Sequence, residues 1–326
     1  MTEKLGLLGT GILPKYNGKD YSLILQNNAT NEASQLNSKR NSKKRPFNQK
    51  ETVYKDIRAI FKGVSLGVKE TQLLDYIVVK HTQQGNHDNN TKVTFKLKEY
   101  MKDRGLKDAK SARNSLKKGL SLLVSIQISY SGGSKNNPYN QSFGTHNIFT
   151  GYDYNRGVAS ISFTPEMNSI VTKQAMPMPY HKLLFRLDPK KDAASWYILR
   201  RLLVNKRMNY GQKRADVMKI ATLLEGCPNI PSYKKVINSN DKHVGARIIK
   251  PFLDAVEKIH DAIDYTYIDA EGKPFKYEEG LSYKEFSEGS LIVTEWINYP
   301  DEFMKQLADT RKKERKKKRK KKAKKE

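Results

Sequence analysis

The segment from Asp108 to Leu123 carries the side chains best suited to binding a polyanion. No acid follows Asp108 on it, and its polar face consists of Lys110, Arg113, Asn114, Lys117 and Lys118. Ammonium and guanidinium groups attract phosphate, and the amide can both donate and accept hydrogen bonds. The segment is therefore a candidate nucleic-acid-binding element, although a solvated basic helix on any soluble protein has the same pattern.

The apolar residues of this segment predict the element that positions the basic ones. They recur at spacings of three and four, which is the inner face of a helix, and they are Ala109, Ala112, Leu116, Leu120 and Leu123. Asp108 is suited to cap the helix, because its carboxylate can accept hydrogen bonds from free backbone N–H groups. We therefore expect a helix with one buried and one cationic face.

The neighbouring residues suggest how this helix is used. Helices are predicted over 68–80 and 97–104, with a short strand over 92–95 between them, and strands over 125–130 and 157–163 follow the cationic helix. Gly, Asn and Pro between the last two strands predict a wing, with Lys135, Tyr139, His146 and Arg156 at its surface. This order is that of a winged helix, whose last helix enters the major groove.

The second half of the chain repeats the layout. Helices are predicted over 192–208, 213–224 and 241–262, followed by strands over 265–268 and 291–297. The long helix has early polar positions at Lys242, His243, Arg247 and Lys250, and Pro251 should kink it. It is the second candidate recognition helix.

These elements predict an α+β fold with two tandem winged-helix domains. A segment poor in large apolar side chains precedes them and a lysine-rich tail follows, and both are expected to be disordered. The predicted parts are a flexible arm (1–50), winged-helix domain 1 (51–173), a proline-containing linker (174–191), winged-helix domain 2 (192–300) and a basic tail (301–326).

The charge of the chain favours a polyanionic partner. The formal net charge is +27, with 61 Lys+Arg against 34 Asp+Glu. Residues 311–326 hold thirteen basic and two acidic residues, so this segment of the tail supplies +11 and the rest of the chain +16. The tail can bind any polyanion regardless of sequence.

Composition also sets the compartment and the partners that we expect. The sequence has no apolar run long enough to span a membrane and no apolar core of a secretory signal. Cys227 is the only cysteine, which excludes an internal disulfide and a multi-thiolate zinc site and fits a reducing cytosol. We therefore expect a cytoplasmic protein that does not enter a membrane.

Several kinds of catalysis lack their sequence signatures. No Gly-Lys-Ser/Thr phosphate loop is present, and no two histidines bracket a single apolar residue as in nicking enzymes that use a metal and a tyrosine. Tyr76 lies on an amphipathic helix and is interpreted as a packing residue. We expect no enzyme activity, no cofactor and no metal.

Four segments resemble a known family. Residues 68–76, residues 93–100, the helix from Asp108 and residues 246–259 are similar to the plasmid-type replication initiators, which have two winged helices. The last segment, Ala-Arg-Ile-Ile-Lys-Pro-Phe-Leu, resembles the arginine-apolar-apolar-x-proline helix of their second domain. The resemblance implies binding to repeated sites of an origin in double-stranded DNA, opening of adjacent A+T-rich DNA, recruitment of host replication proteins, and a possible homodimer through the first domain.

The resemblance also implies roles for the polar residues of the two helices. Lys110, Arg113, Asn114 and Lys117 would contact DNA from the first domain, and Lys242, His243, Arg247 and Lys250 from the second. Arginine can bind guanine and asparagine adenine through paired hydrogen bonds, whereas Lys118 and the wing would contact phosphate. The alternatives are a transcriptional or partition regulator of a mobile element, an origin-nicking enzyme, and a ribosome- or RNA-binding protein.

Overall fold

The computed structural model describes residues 18–26, 47–54, 57–64, 66–84, 90–133, 141–168, 176–239, 243–275 and 281–309. Its strands, in chain order, are β1 (Tyr21–Gln26), β2 (Phe47–Tyr54), β3 (Ile57–Val64), β4 (Lys92–Lys96), β5 (Gln127–Gly133), β6 (Gln141–Asn147), β7 (Phe149–Asn155), β8 (Val158–Phe163), β9 (Met176–His181), β10 (Val217–Lys219), β11 (Ile263–Ile268), β12 (Pro274–Phe275) and β13 (Ser290–Trp296). Its helices are α1 (Val68–Gln83), α2 (Leu97–Asp103), α3 (Ala109–Val124), α4 (Leu183–Arg186), α5 (Ala193–Met208), α6 (Ile220–Leu224), α7 (Tyr233–Ile237), α8 (Lys250–Glu257) and α9 (Tyr283–Glu288). Residues 301–309, the start of the tail predicted to be disordered, are instead helical with Met304 and Leu307 buried, and the rest of the tail lies outside the described residues.

The first domain is a winged helix. Its three helices α1, α2 and α3 pack on an antiparallel sheet of order β4-β8-β7. The predicted cationic helix is confirmed as α3, and the Asp108 carboxylate accepts a hydrogen bond from the backbone N–H of Lys110 at 3.0 Å. Leu116, Leu120 and Leu123 are buried, whereas Ala109, which was expected on the same face, is exposed.

The strand that follows α3 was predicted to form one side of the wing, and this prediction is wrong. Strand β5 instead joins a separate sheet of order β2-β3-β5-β6, and the wing hairpin is formed by β7 and β8. The hairpin turn is short, with positive φ angles of 45° at Arg156 and 81° at Gly157. An alternating strand pattern specifies which residues face one side but not which sheet the strand joins, so the sequence could not reveal the insertion.

The predicted flexible arm contains strands β1 and the start of β2, which corrects that expectation. Strand β1 pairs antiparallel with β9, a strand in the segment predicted as a linker. Tyr21 to Leu25 are all buried, with exposures of 2% or less. The arm was misassigned because its apolar residues are covered by a strand about half the chain away, and local composition does not report such a partner.

The second domain is also a winged helix, with a sheet of order β10-β13-β11-β12. The single helix predicted over 213–224 is wrong, because a 3-10 turn (Lys213–Asp216), strand β10 and helix α6 occupy it. The long helix predicted from 241 is interrupted by a π-helical turn, Gly245–Ile249, which ends where α8 begins. Pro251 lies in the first turn of α8, where its missing N–H breaks no hydrogen bond, so the π turn accommodates the proline.

Buried polar contacts join the two domains. The guanidinium of Arg200 on α5 contacts the Asp75 carboxylate on α1 through Nε at 3.0 Å and Nη2 at 3.2 Å, and the Tyr180 hydroxyl donates to the same carboxylate at 3.0 Å. Arg104 donates to Gln72 at 2.6 Å, and Gln72 donates to the backbone carbonyl of Leu184 at 2.8 Å. A continuous apolar core surrounds these groups.

Candidate nucleic-acid interface

Helix α3 presents all five of its predicted binding residues to solvent. Lys110, Arg113, Asn114, Lys117 and Lys118 are exposed, and α3 is held from the opposite side by its buried leucines. Gly119 lets α3 approach α1, since a Cβ atom added there would lie 2.5 Å from Cδ2 of Leu73. The Ser121 hydroxyl lies 2.6 Å from the Tyr152 hydroxyl of the wing strand β7. The polar face of α3 therefore has a fixed orientation relative to the wing.

A second group of cations lies between the wing turn and the start of α3. They surround a cleft of about 690 Å³, which we call the basic cleft, lined by Lys96, Leu97, Lys98, Met101, Lys102, Leu106, Ala109, Arg156, Gly157 and Val158. The backbone N–H of Leu97 donates to the carbonyl of Gly157 at 2.8 Å, so the wing turn is tied to the start of α2. No acid lines the cleft, which makes it a cationic surface next to α3.

Three of these cations were not among the binding residues predicted from the sequence. Lys96, Lys98 and Lys102 are exposed, but they belong to the end of β4 and to α2, and their grouping depends on how these elements fold together. The available signal was the exposed–buried alternation of β4, which places Lys92 and Lys96 on the outward side. Arg156, which was predicted in the wing, lies at its turn and is exposed.

The other predicted wing residues lie elsewhere. Lys135 and Tyr139 are outside the described residues. His146 is on β6, in the separate sheet, and its Nδ1 lies 3.8 Å from a carboxylate oxygen of Glu166. The structure therefore does not bring His146 to the wing hairpin.

The predicted binding residues of the second candidate recognition helix differ in their exposure to solvent. His243 and Lys250 are exposed, whereas Arg247 is half-buried and donates from Nη1 to the Ser239 hydroxyl at 2.7 Å. Lys242 lies outside the described residues. Arg247, which was predicted as a base-reading residue, also lines a pocket beside the helix.

The connection between β11 and β13, where a wing would extend, folds back onto the helices. It contains β12 and α9, and Phe286 of α9 is fully buried with its ring 5.5 Å from that of Phe252 in an edge-to-face contact. Helix α9 of this connection is therefore packed against its own domain, whereas residues 270–274, at the turn between β11 and β12, are exposed.

Two of the reactive side chains, those of Tyr76 and Cys227, are buried in the core. Tyr76 is fully buried, its hydroxyl donates to Asp103 at 3.1 Å, and burial raises its pKa well above the ordinary value, which fits its interpretation as a packing residue. Burial likewise raises the pKa of the Cys227 thiol, so the thiolate is disfavoured. Within the described residues, no group of three metal-ligating side chains occurs and no helix is long and apolar enough to cross a membrane.

Comparison with known proteins finds a family match for the first domain. Residues 52–176 match the family described as initiator replication protein, WH1. Two solved structures of domains 2 and 3 of RctB are similar at 12% identity, and each match covers 81% of this chain. One match covers 96% of the RctB chain with a TM-score of 0.45, and the other covers 98% with a TM-score of 0.43. The WH1 domain of MSBI1.176, a replication protein isolated from a multiple sclerosis patient, is similar at 17% identity over 32% of this chain and 79% of its own length, with a TM-score of 0.27. No curated protein matches the sequence.

Proposed function

We propose that the whole chain is a replication initiator that binds double-stranded DNA at specific sequences and acts without catalysis. The premise is the match of residues 52–176 to the family described as initiator replication protein, WH1. The observation that carries the proposal is the exposed cationic and amide face of α3, held rigidly by its N-cap and by its packing on α1. A rigid helix with such a face can lie in the major groove while the basic cleft contacts the flanking phosphates.

The two kinds of contact have different expected effects. Arg113 and Asn114 lie on the exposed face and can form paired hydrogen bonds with guanine and adenine edges. Lys98, Lys102 and Arg156 lie beside the helix and provide charge without base recognition. The second domain contributes His243 and Lys250 from the equivalent helix.

The wider role follows from the same proposal. Two winged helices on one chain suit repeated sites in the replication origin of a plasmid or mobile element, and the initiator would recruit host replication proteins there. It would work in the bacterial cytoplasm at the nucleoid, as a monomer or as a homodimer through domain 1. A single inverted repeat in the promoter of its own gene, in place of tandem repeats in an origin, would instead identify a regulator; footprinting on DNA flanking the gene separates the two.

The base-reading role of α3 is tested with Arg113→Ala. Loss of a paired contact to guanine should weaken binding to the specific site by about 1–3 kcal/mol and leave binding to random duplex nearly unchanged. Fluorescence anisotropy with both duplexes at several salt concentrations measures the two affinities.

Lys98→Ala is the matched control, because it removes one exposed cation from the basic cleft. It should weaken both duplexes equally and lower the salt dependence by about one phosphate contact. An equal loss on specific and random duplex for Arg113→Ala would contradict base recognition by α3.

A further inference from the structure

A pocket beside the second recognition helix has features that duplex binding does not use. It has a volume of about 770 Å³, within the range of small-ligand sites, and we call it the tyrosine pocket. The residues that matter to the argument are Tyr233, Lys235, Arg247 and Tyr283, with the loop from Gly226 to Ser232 forming one wall. We infer that this pocket binds an unpaired nucleobase of single-stranded DNA, an inference that rests on the proposal that the chain binds DNA.

The two tyrosines form a stacked aromatic platform. Their ring centroids lie 4.2 Å apart with an interplanar angle of 11°. Tyr233 keeps 39% of its surface exposed although it is a large aromatic residue. A flat, exposed aromatic face attracts a planar base, and it accepts any base because every base has a π face.

The platform is held in place by the helices that carry it. Each tyrosine is the first residue of a short helix, Tyr233 of α7 and Tyr283 of α9. The Ser282 hydroxyl and the Glu285 side chain form a reciprocal cap on α9, and Phe286 anchors α9 in the core. The two rings therefore meet through the folding-back of the second wing, which fixes their orientation before any ligand binds.

The charge around the platform suits the phosphates on either side of a bound base. Lys235 and Arg247 line the pocket, and the Arg247 guanidinium is oriented by its hydrogen bond to Ser239. Lys234 and Lys284, each next in sequence to one of the tyrosines, are exposed. Glu225 is the acid among the lining residues. Cations beside an aromatic face are the usual combination in proteins that bind single strands.

A duplex cannot use this platform. Its bases are stacked on their neighbours, so neither face of a base is free to lie on a tyrosine. The inference also gives Arg247 a role in keeping with its position, because its side chain is directed to the pocket and to Ser239. A site for an unpaired base on domain 2 would let the chain hold an opened strand while α3 of domain 1 holds duplex.

Photo-crosslinking of the full chain tests the inference at the site itself. The probe is a twelve-nucleotide oligothymidylate in which one base is 5-iodouracil, which crosslinks to an aromatic ring stacked on it, and the crosslinked peptide is mapped by mass spectrometry. We expect the crosslink at Tyr233 or Tyr283. Binding of the oligonucleotide with crosslinks only elsewhere, for example in the lysine-rich tail, would overturn the inference, as would no binding at all.

Affinity measurements with variants separate this site from duplex recognition. Tyr233→Leu should weaken binding of the oligothymidylate by about 5- to 150-fold, the range for loss of one base–aromatic stack, and Tyr233→Phe should retain it. Both variants should bind duplex as the parent chain does, and Arg113→Ala should show the reverse pattern. Because Tyr233 is partly exposed, these variants are expected to fold, and thermal unfolding checks it.

The remaining outcomes are equally decisive. Equal oligothymidylate affinity for Tyr233→Leu and the parent chain would overturn the inference while leaving the proposed function intact. Tighter binding of oligouridylate RNA than of oligothymidylate would overturn the assignment to DNA. Loss of duplex binding by the parent chain would instead contradict the proposed function.

Discussion

At the scale of single residues, the buried contact between Asp75 and Arg200 is expected to have a large effect on stability when one partner is removed. Both side chains are only 4% exposed, and the two hydrogen bonds between them satisfy charges that water cannot reach. A buried pair of this kind contributes little net stability when intact, but a buried charge left without its partner costs much more. The pair therefore makes the docking of the two domains sensitive to single substitutions.

Asp75→Ala should lower the free energy of unfolding by about 3–5 kcal/mol, because it leaves the Arg200 guanidinium buried without an anion. Urea unfolding followed by circular dichroism measures the loss. Glu271→Ala removes the partner of Lys273 from an ion pair whose side chains are 72% and 75% exposed, and it should change stability little. Similar small losses in both variants would contradict a buried, desolvated Asp75.

At the scale of elements, α3 depends on a close approach to α1 at Gly119. Glycine weakens a helix by about 1 kcal/mol relative to alanine, so its presence inside α3 needs a reason. The added Cβ position, 2.5 Å from Cδ2 of Leu73, supplies it, since any side chain there must displace the end of the buried Leu73 side chain. A side chain as large as leucine needs more room than that shift provides, so it would also move α3 and its cationic face relative to the wing.

Gly119→Leu should destabilise the protein by about 1–3 kcal/mol, through overpacking of the interface between α1 and α3. It should also weaken binding to specific duplex, because α3 would be displaced. Thermal unfolding and anisotropy measure the two effects. Ser111→Leu, which places the same side chain at an exposed position of α3, should leave stability nearly unchanged, and an equal loss there would contradict the packing argument.

The elements differ in how far the sequence could predict them. Helices α1, α3 and α5 were predicted because their apolar spacing is local. Strand β1 was not predicted, because its partner β9 lies about half the chain away, and the sheet containing β5 was not, because one partner of β5 is β3, which precedes all three helices of domain 1. The five basic and amide positions of α3 were predicted from one helical face, whereas Lys96, Lys98 and Lys102 join them only through tertiary folding. The tyrosine pocket depends on the folding-back of the second wing, which no local pattern indicates.

At the scale of the whole molecule, strand β1 binds both halves of the chain. It pairs with β9, and the ring of Tyr21 contacts those of His181 at 4.7 Å and Tyr299 at 5.5 Å. Asn298 donates to the Asp20 carboxylate at 2.7 Å. His181 is 95% buried at this joint, and its Nδ1 accepts a hydrogen bond from the backbone N–H of Leu183 at 3.1 Å, which requires the unprotonated nitrogen.

The joint should therefore weaken in acid. Burial lowers the pKa of His181 to about 4, against the contributions of Asp20 and Asp261, from the ordinary value of 6.5. The unfolded chain binds a proton more readily, so the stability that the neutral ring provides is complete above pH 6.5 and is lost as the pH falls towards 4. The expected loss is about 2–3 kcal/mol.

Urea unfolding at pH 7.5, 6.5, 5.5 and 4.5 measures this dependence. His181→Asn keeps a side-chain acceptor for the Leu183 N–H but cannot be protonated. Its stability should fall less than that of the parent chain between pH 6.5 and 4.5, and an identical pH dependence in the two proteins would contradict a buried neutral His181.

The pairing of β1 with β9 also sets an order of events during synthesis. Strand β1 (Tyr21–Gln26) leaves the ribosome before any residue of the first winged helix. Its partner β9 (Met176–His181) leaves only after the whole of that domain has been synthesised. Since domains fold as units while the chain emerges, the helices and wing of domain 1 can assemble before β1 has anything to pair with. Until then the apolar side chains of β1 remain uncovered, and chaperones that bind extended apolar segments can reach them. A strand that is made early is therefore placed late.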